Sequence, residues 1–290
     1  GQRFDILEEA AGLVNSDITS IKEDYAGKIW ITTAQSGALK IHNPEVASTT
    51  EFSYEQFKGG RLSDRVFDLY VTRDRSLFFI TDIGIQKKAH RSDEFEKFFI
   101  QGMGYFQITS FREDNEGNFW FGTYNDGLYM FDHEQEDLVF YNTRNGLGHN
   151  FVSTLFEDSR GNIWAGTWGG GLTRIREGEL RVYNTDNGLQ DLKIWSVLED
   201  VEGNILIGTN ENGLSIFKGE QFVSFSEKNG LVNNQVWAVL QDRTGKFWFG
   251  TNGGISIYDP GRPEGQRFRH LTAERYSIGD QIRFLKEDSQ

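Results

Sequence analysis

Short apolar runs separated by polar breaks rich in glycine and asparagine recur along this chain at a nearly constant interval. The clearest copy reads Glu157-Asp158-Ser159-Arg160-Gly161-Asn162-Ile163-Trp164-Ala165-Gly166-Thr167, then Trp168-Gly169-Gly170-Gly171-Leu172. With the aspartate of this copy as a ruler, equivalents stand at Asp24, Asp114, Asp158, Asp200, Asp242 and Asp288, and Thr72 marks a degenerate copy. The spacing runs from 42 to 48 residues. Helical solenoids share such periods, so the pattern inside the period has to decide.

Six residues before the ruler stands a β-branched residue each time: Ile18, Val66, Ile108, Val152, Ile194, Val236 and Ile282. Three residues later come Ile21, Leu69, Phe111, Leu155, Val197, Val239 and Leu285, with mostly small residues such as Ser110, Thr154 and Ala238 between. This alternation predicts a strand, A. The turn Asp-x-x-Gly-Asn/Lys follows, its glycine (Gly27, Gly117, Gly161, Gly203, Gly245) placed where a bulged hairpin needs positive φ. Its aspartate is placed to accept backbone N–H bonds across the turn. Strand B is a continuous apolar run, as in Phe119-Trp120-Phe121 or Phe247-Trp248-Phe249, which fits burial on both faces. A second glycine turn leads to strand C, as in Gly213-Leu214-Ser215-Ile216-Phe217, and then to a weaker alternating strand D.

Four antiparallel strands per period define a propeller blade, so the expected fold is an all-β propeller forming one domain over residues 1–290. Gly1 to Ile6 aligns with a strand D, and Gln281 to Glu287 with a strand A. This predicts seven blades, one of them an incomplete composite of the two chain ends, with six blades as the alternative. In the second copy Arg75 replaces the turn glycine, which predicts a looser turn there.

Composition narrows the function classes. A net charge of −13 argues against nucleic acid and anionic membrane surfaces, which need clustered Lys and Arg. The absence of cysteine excludes disulfides and thiolate metal sites. No apolar run is long enough to span a bilayer. The start at Gly1, without methionine or signal peptide, reads as an excised or processed fragment.

Asn187-Gly188-Leu189, Trp195-Ser196-Val197-Leu198-Glu199-Asp200 and Gly203-Asn204-Ile205 resemble the two-component regulator propeller repeat, as do Asn145-Gly146-Leu147 and Gly161 to Thr167. WD40 and kelch signatures fit poorly. The resemblance implies the extracytoplasmic, periplasmic sensor region of a membrane-anchored histidine kinase or hybrid two-component system, in which many members respond to oligosaccharides. It further implies, as partners, a neighbouring propeller or immunoglobulin-like domain of the same parent chain, and a homodimer through that parent.

Candidate chemistry is sparse. The Glu-Asp pairs recur at one turn of successive blades and cannot converge on one substrate, so they read as turn caps. His42, His90, His133, His149 and His270 form no ligand-like spacing, so no metal or cofactor is expected. Trp30, Trp120, Trp164 and Trp248 share one strand-B column and read as core. Trp168, Trp195 and Trp237 lie off that column. Together with Tyr124 and Asn210 of the B–C turns, and Asn15, Arg65, Tyr105, Asn150, Lys193 and Gln235 of the D–A loops, they form the expected ligand-binding rim at the mouth of the central channel. Aromatic faces beside amides suit sugars. An ordinary polar rim is the bland alternative. Two other function classes stay open: a propeller polysaccharide lyase or glycosidase using Tyr105 or His149 with Asp126 or Asp191, and an interaction scaffold without a small ligand.

Overall fold

The computed structural model describes residues 17–42, 53–100, 107–132, 134–276 and 279–287. These residues form six four-stranded antiparallel sheets, each in the order A-B-C-D. The A strands are Ile18–Glu23, Val66–Val71, Ile108–Glu113, Val152–Glu157, Ile194–Glu199 and Val236–Gln241. The B strands are Ile29–Thr33, Leu77–Thr81, Phe119–Thr123, Ile163–Thr167, Ile205–Thr209 and Phe247–Thr251. The C strands are Ala38–Ile41, Gly84–Lys88, Leu128–Asp132, Leu172–Arg176, Leu214–Lys218 and Gly254–Tyr258. The D strands are Tyr54–Phe57, Glu96–Phe98, Asp137–Tyr141, Glu179–Tyr183, Gln221–Phe225 and Phe268–Leu271. The fold is an all-β propeller whose blades, among the described residues, number six. The chain divides into two compact units, residues 1–108 with 286–290 and residues 109–285. Blades one and two belong to the first, blades three to six to the second.

The seven-bladed expectation is corrected here to six. A seventh blade needs a B strand beside Ile282, and residues 281–287 pair with none, so no ladder forms. The segment still keeps strand-A register against blade six. Gly254 donates its N–H to the Asp280 carbonyl at 2.8 Å, as Gly171 does to Leu192 and Gly213 to Asn234 in their blades. The other half of the expected composite blade, residues 1–6, lies outside the described residues, as does Asp288.

Why the ruler aspartate is needed is visible in blade four. Asp158 Oδ1 accepts the backbone N–H groups of Arg160 and Asn162 at 3.0 and 2.8 Å. Its Oδ2 accepts Asn162 Nδ2 at 2.7 Å and the indole Nε1 of Trp164 at 2.8 Å. The same indole bond joins Trp30 to Asp24, Trp120 to Asp114 and Trp248 to Asp242, at 2.9, 2.7 and 2.8 Å. One carboxylate therefore closes the turn and fixes the largest strand-B side chain. The residue before the aspartate works on the preceding blade instead. Glu157 accepts from Asn115 N–H at 2.8 Å, Glu199 from Ser159 N–H at 2.6 Å, and Gln241 from Val201 N–H at 3.0 Å.

Blade two solves the turn differently. Asp74 accepts from the Thr72 hydroxyl and the Ser76 N–H at 2.5 and 2.9 Å, and Arg75 takes φ 68° where the other blades have glycine. The Arg75 N–H still reaches the Thr72 carbonyl at 2.9 Å, so the turn is as closed as the others and the expected loosening is absent.

All five residues of strand B are buried in blades two to five. The small strand-A column is explained by contact with the strand-B glycine. A Cβ on Gly122, Gly166 or Gly208 would stand 2.2 to 2.5 Å from Ser110, Thr154 or Ser196. In blades one, two, four, five and six the register of A against B skips one residue: Thr19, Phe67, Ser153, Trp195 or Trp237. Each skipped residue is the extra member of a β-bulge and has no ladder partner opposite.

Candidate functional site

The bulge residues divide by chemistry. Thr19 Oγ1 donates to the Val66 carbonyl at 2.6 Å and Ser153 Oγ to the Ile194 carbonyl at 2.5 Å. Thr109 makes the equivalent bond to Val152. A hydroxyl at this position thus ties strand A to the first residue of the next strand A. Trp195 and Trp237 have no hydroxyl to do this, and their indoles meet each other instead, with centroids 4.4 Å apart.

From that pair an arc of aromatic side chains crosses blades three to six, all within the second unit. Trp195 meets Trp168 at 4.5 Å, Trp168 meets Phe151 at 6.0 Å, and Phe151 meets Tyr124 at 4.6 Å. Interplanar angles of 36 to 60° make these tilted and edge-to-face contacts, which suit the aromatic quadrupole. Trp168, Trp195 and Trp237 are half-buried and Tyr124 is exposed at 45%. Cations stand at both ends of the indole series, Lys193 Nζ 5.4 Å from the Trp168 centroid and Arg283 Cζ 5.1 Å from that of Trp237.

A polar network holds the arc. Asn210 Oδ1 accepts Trp195 Nε1 at 3.1 Å and Gln235 Nε2 at 2.9 Å. Asn210 Nδ2 donates to Glu211 Oε1 at 3.0 Å, and the same oxygen pairs with Lys193 Nζ at 3.3 Å. Beneath them the buried Asp191 accepts the backbone N–H groups of Lys193 and Glu211, at 3.0 and 2.8 Å. Such double anchoring sets side chains in place before any ligand arrives. The Trp237 Nε1 is buried without a hydrogen-bond partner.

Of the expected rim residues, Tyr124, Trp168, Lys193, Trp195, Asn210, Gln235 and Trp237 come together in this way. Asn15 and Tyr105 lie outside the described residues. Arg65 belongs to the first unit, where it lines an apolar cavity of about 640 Å³ with Phe67, Ile83, Phe98 and Phe99. Asn150 is taken up by its own loop: its Oδ1 accepts the Thr143 N–H at 2.9 Å and its carbonyl the Gly127 N–H at 2.8 Å, which makes it a loop staple. Phe151 and Arg283 are not marked by the sequence pattern, and Asp191, expected only as an acid–base candidate, instead anchors the network. Phe151 directly precedes strand A, as Arg65, Lys193 and Gln235 do, so counting back one residue from Val152 finds it.

Two of the acid–base candidates, His149 and Asp191, are engaged in backbone hydrogen bonds. His149 Nδ1 accepts the Phe151 N–H at 3.0 Å, and both Asp191 oxygens carry backbone bonds. His133 lies outside the described residues. Near Asp126 the Tyr129 phenol is pushed up to about 12, first by burial and then by that carboxylate, so it stays neutral. Among the described residues no group of three His, Asp or Glu side chains is gathered to hold a metal ion, and no helix is long and apolar enough to cross a membrane.

Residues 12–35, 105–125, 146–169 and 230–253 match the two-component regulator propeller family, each match covering a D–A loop, strand A and strand B. No curated protein sequence matches the chain. Among solved structures it is similar to the extracellular domain assigned to hybrid two-component system BT3049 of B. thetaiotaomicron. That match has 25% identity and a TM-score of 0.78, and covers 93% of this chain and 36% of the other. The extracellular domain assigned to hybrid two-component system BT4673 of the same organism gives 19% identity and a TM-score of 0.72, over 88% and 36% of the two chains. A virginiamycin B lyase from Staphylococcus aureus, solved with quinupristin, gives 12% identity and a TM-score of 0.70 over 93% and 87%, a likeness of fold alone. The chain spans about a third of the length of the first two. Four of its repeats thus match the two-component regulator propeller.

Proposed function

We propose that this chain is a non-catalytic sensor propeller from the extracytoplasmic, periplasmic part of a two-component system. In this reading the arc from Tyr124 to Trp237 receives an oligosaccharide or similar polar ligand. The observation that carries it is the continuity of the arc: four successive centroid separations of 4.6, 6.0, 4.5 and 4.4 Å, bordered by an anchored amide and carboxylate network. Tyr124 and Trp168 offer apolar surface for sugar C–H faces, while Asn210, Gln235 and Glu211 offer directed partners for hydroxyls. A ligand that favours one arrangement of the parent's domains over another would bias signalling by that difference in affinity.

A second reading, docking of a neighbouring module of the parent chain or of a second copy, is favoured by one feature. The indoles pack on one another and the Arg283 guanidinium overlies Trp237, a pairing of aromatic rings with arginine of the kind enriched at protein interfaces. Calorimetric titration of a neutral and acidic glycan panel against wild type and Trp168→Ala separates the two. Saturable binding, lost at least about tenfold in the variant with an unchanged thermal midpoint, supports sugar sensing. Silence across the panel, together with loss of association in Trp168→Ala, supports docking. Turnover of any glycan would make the chain an enzyme and sink both.

A further inference from the structure

We infer that blade two builds a second site, which binds a tetrahedral oxyanion, either free or as a sulfate or phosphate ester. The site is a hollow of about 110 Å³ in the first unit, several times what one water needs. Lys40, Arg75, Lys88 and His90 line it, together with Tyr25 and one carboxylate, Asp24. In a chain of net charge −13 this gathering of two lysines and an arginine beside an imidazole runs against composition. Screening at physiological salt acts within about 8 Å, so an incoming anion responds to these side chains more than to the distant total.

Three observations make the hollow look built for an anion. Arg75 sits at φ 68°, at the turn position where Gly27, Gly117, Gly161, Gly203 and Gly245 take φ 72 to 89°. A side chain in that conformation is strained, so placing a guanidinium there has a conformational cost that the neighbouring blades avoid. Lys88 has a side chain only 11% exposed, bonded through Nζ to the Ser92 carbonyl, and its carboxylate neighbour Asp93 is 3.8 Å away and fully exposed. A mostly buried ammonium whose paired carboxylate is fully solvent-exposed, and so screened, favours a second anion on its inner side. Asp24, meanwhile, is already spent: its oxygens take Ala26 N–H, Lys28 N–H and Trp30 Nε1 at 2.9, 3.0 and 2.9 Å.

Aromatic faces hold two of the cations at the hollow. Arg75 Cζ lies 5.5 Å from the Tyr25 centroid and Lys40 Nζ lies 5.3 Å from that of Trp30. The guanidinium fork suits two oxygens of one tetrahedral anion, and the ammonium groups serve as point charges beside it.

The test is calorimetric titration of the full chain in low-chloride buffer with inorganic phosphate, inorganic sulfate, glucose 6-sulfate and glucose. The expected result is saturable one-to-one binding of the anions and none of glucose. Arg75→Gly restores the glycine of the other blades and keeps the fold, and it should weaken phosphate at least about tenfold, the loss of one charge-assisted contact. Lys88→Met should do the same. If Lys88→Met fails to fold, Arg75→Gly decides alone. Tighter binding of glucose 6-sulfate than of sulfate identifies an ester as the ligand, and the reverse order identifies the free anion. No saturable binding of any anion, or equal phosphate binding by Arg75→Gly and wild type, overturns the site.

Discussion

Replacing Asp158 by alanine tests the idea that one carboxylate joins turn and core. The change removes the acceptor of four donors, the N–H groups of Arg160 and Asn162, the Asn162 amide and the Trp164 indole. Asn162 and Trp164 are 4% and 2% exposed, so water cannot replace the lost acceptor without disrupting the packing. Each buried donor left unpaired costs about 1–3 kcal/mol, and with three of the four donors buried the expected loss is at least about 3 kcal/mol. Blade five supplies the control. There Leu206 replaces the tryptophan, and Asp200 holds the turn through Glu202 N–H, Asn204 N–H and the Asn204 amide, without an indole. Asp200→Ala should therefore cost about 1–3 kcal/mol less than Asp158→Ala. Urea unfolding followed by fluorescence and circular dichroism, compared at equal m-values, reads the difference. Equal losses at the two positions would refute the reasoning, as would a coupling below about 0.5 kcal/mol in the Asp158→Ala, Trp164→Phe double-mutant cycle.

Three further outcomes follow from other contacts. A Cβ on Gly170 would stand 2.2 Å from the Gly148 backbone, so Gly170→Ala should lose about 1–3 kcal/mol and blunt whatever Trp168 binds, whereas Gly261→Ala, on an exposed turn, should lose almost nothing; denaturant midpoints compare the two. Trp195→Phe removes an indole donor bonded to Asn210 while Trp237→Phe removes one that is buried and unpartnered, so the first should cost about 1 kcal/mol more; a wild-type-like ordering with Trp237→Phe the worse would contradict this. Burial holds the His270 imidazole below its ordinary 6.5, so the unfolded chain takes up its proton first as pH falls. The stability tied to neutral His270 is therefore complete above pH 6.5 and lost as pH drops from there through the lower folded value, a slope that His270→Gln should flatten in thermal melts.

The strand frame was legible because it is written locally. An aspartate and a tryptophan six residues apart can be matched without knowing anything about neighbouring blades, and so can a β-branched residue six before the aspartate. Glu157, Glu199 and Gln241 were harder. Their partners lie 40 to 42 residues upstream, so in sequence Glu157 and Glu199 look like halves of acidic pairs with their own aspartates, and Gln241 like an ordinary polar residue. The site suffered from a shift of one residue. Asn150 and Phe151 are adjacent, but neighbours in extended chain point to opposite sides, and only Phe151 joins the arc. Arg283 occupies the position that follows Ile282, the same place as Trp195 and Trp237 in their strands, but a lone arginine carries no sequence mark of the contact it makes with Trp237. The blade count failed for a different reason: residues 281–287 have the pattern of a strand, but a pattern pairs with nothing unless a neighbour is supplied.

The bulge in strand A separates two kinds of constraint. Residues on either side of it answer to the ladder and to packing against the strand-B glycine, and have little room to vary. The skipped residue answers to neither. Read around the blades, this position spells Thr19, Phe67, Thr109, Ser153, Trp195, Trp237: one interchangeable character per blade on a fixed frame. A repeat protein with such a slot can acquire a new recognition surface by changing letters one at a time, without redesigning a strand. Two consecutive tryptophans are where this chain has spelled something of its own.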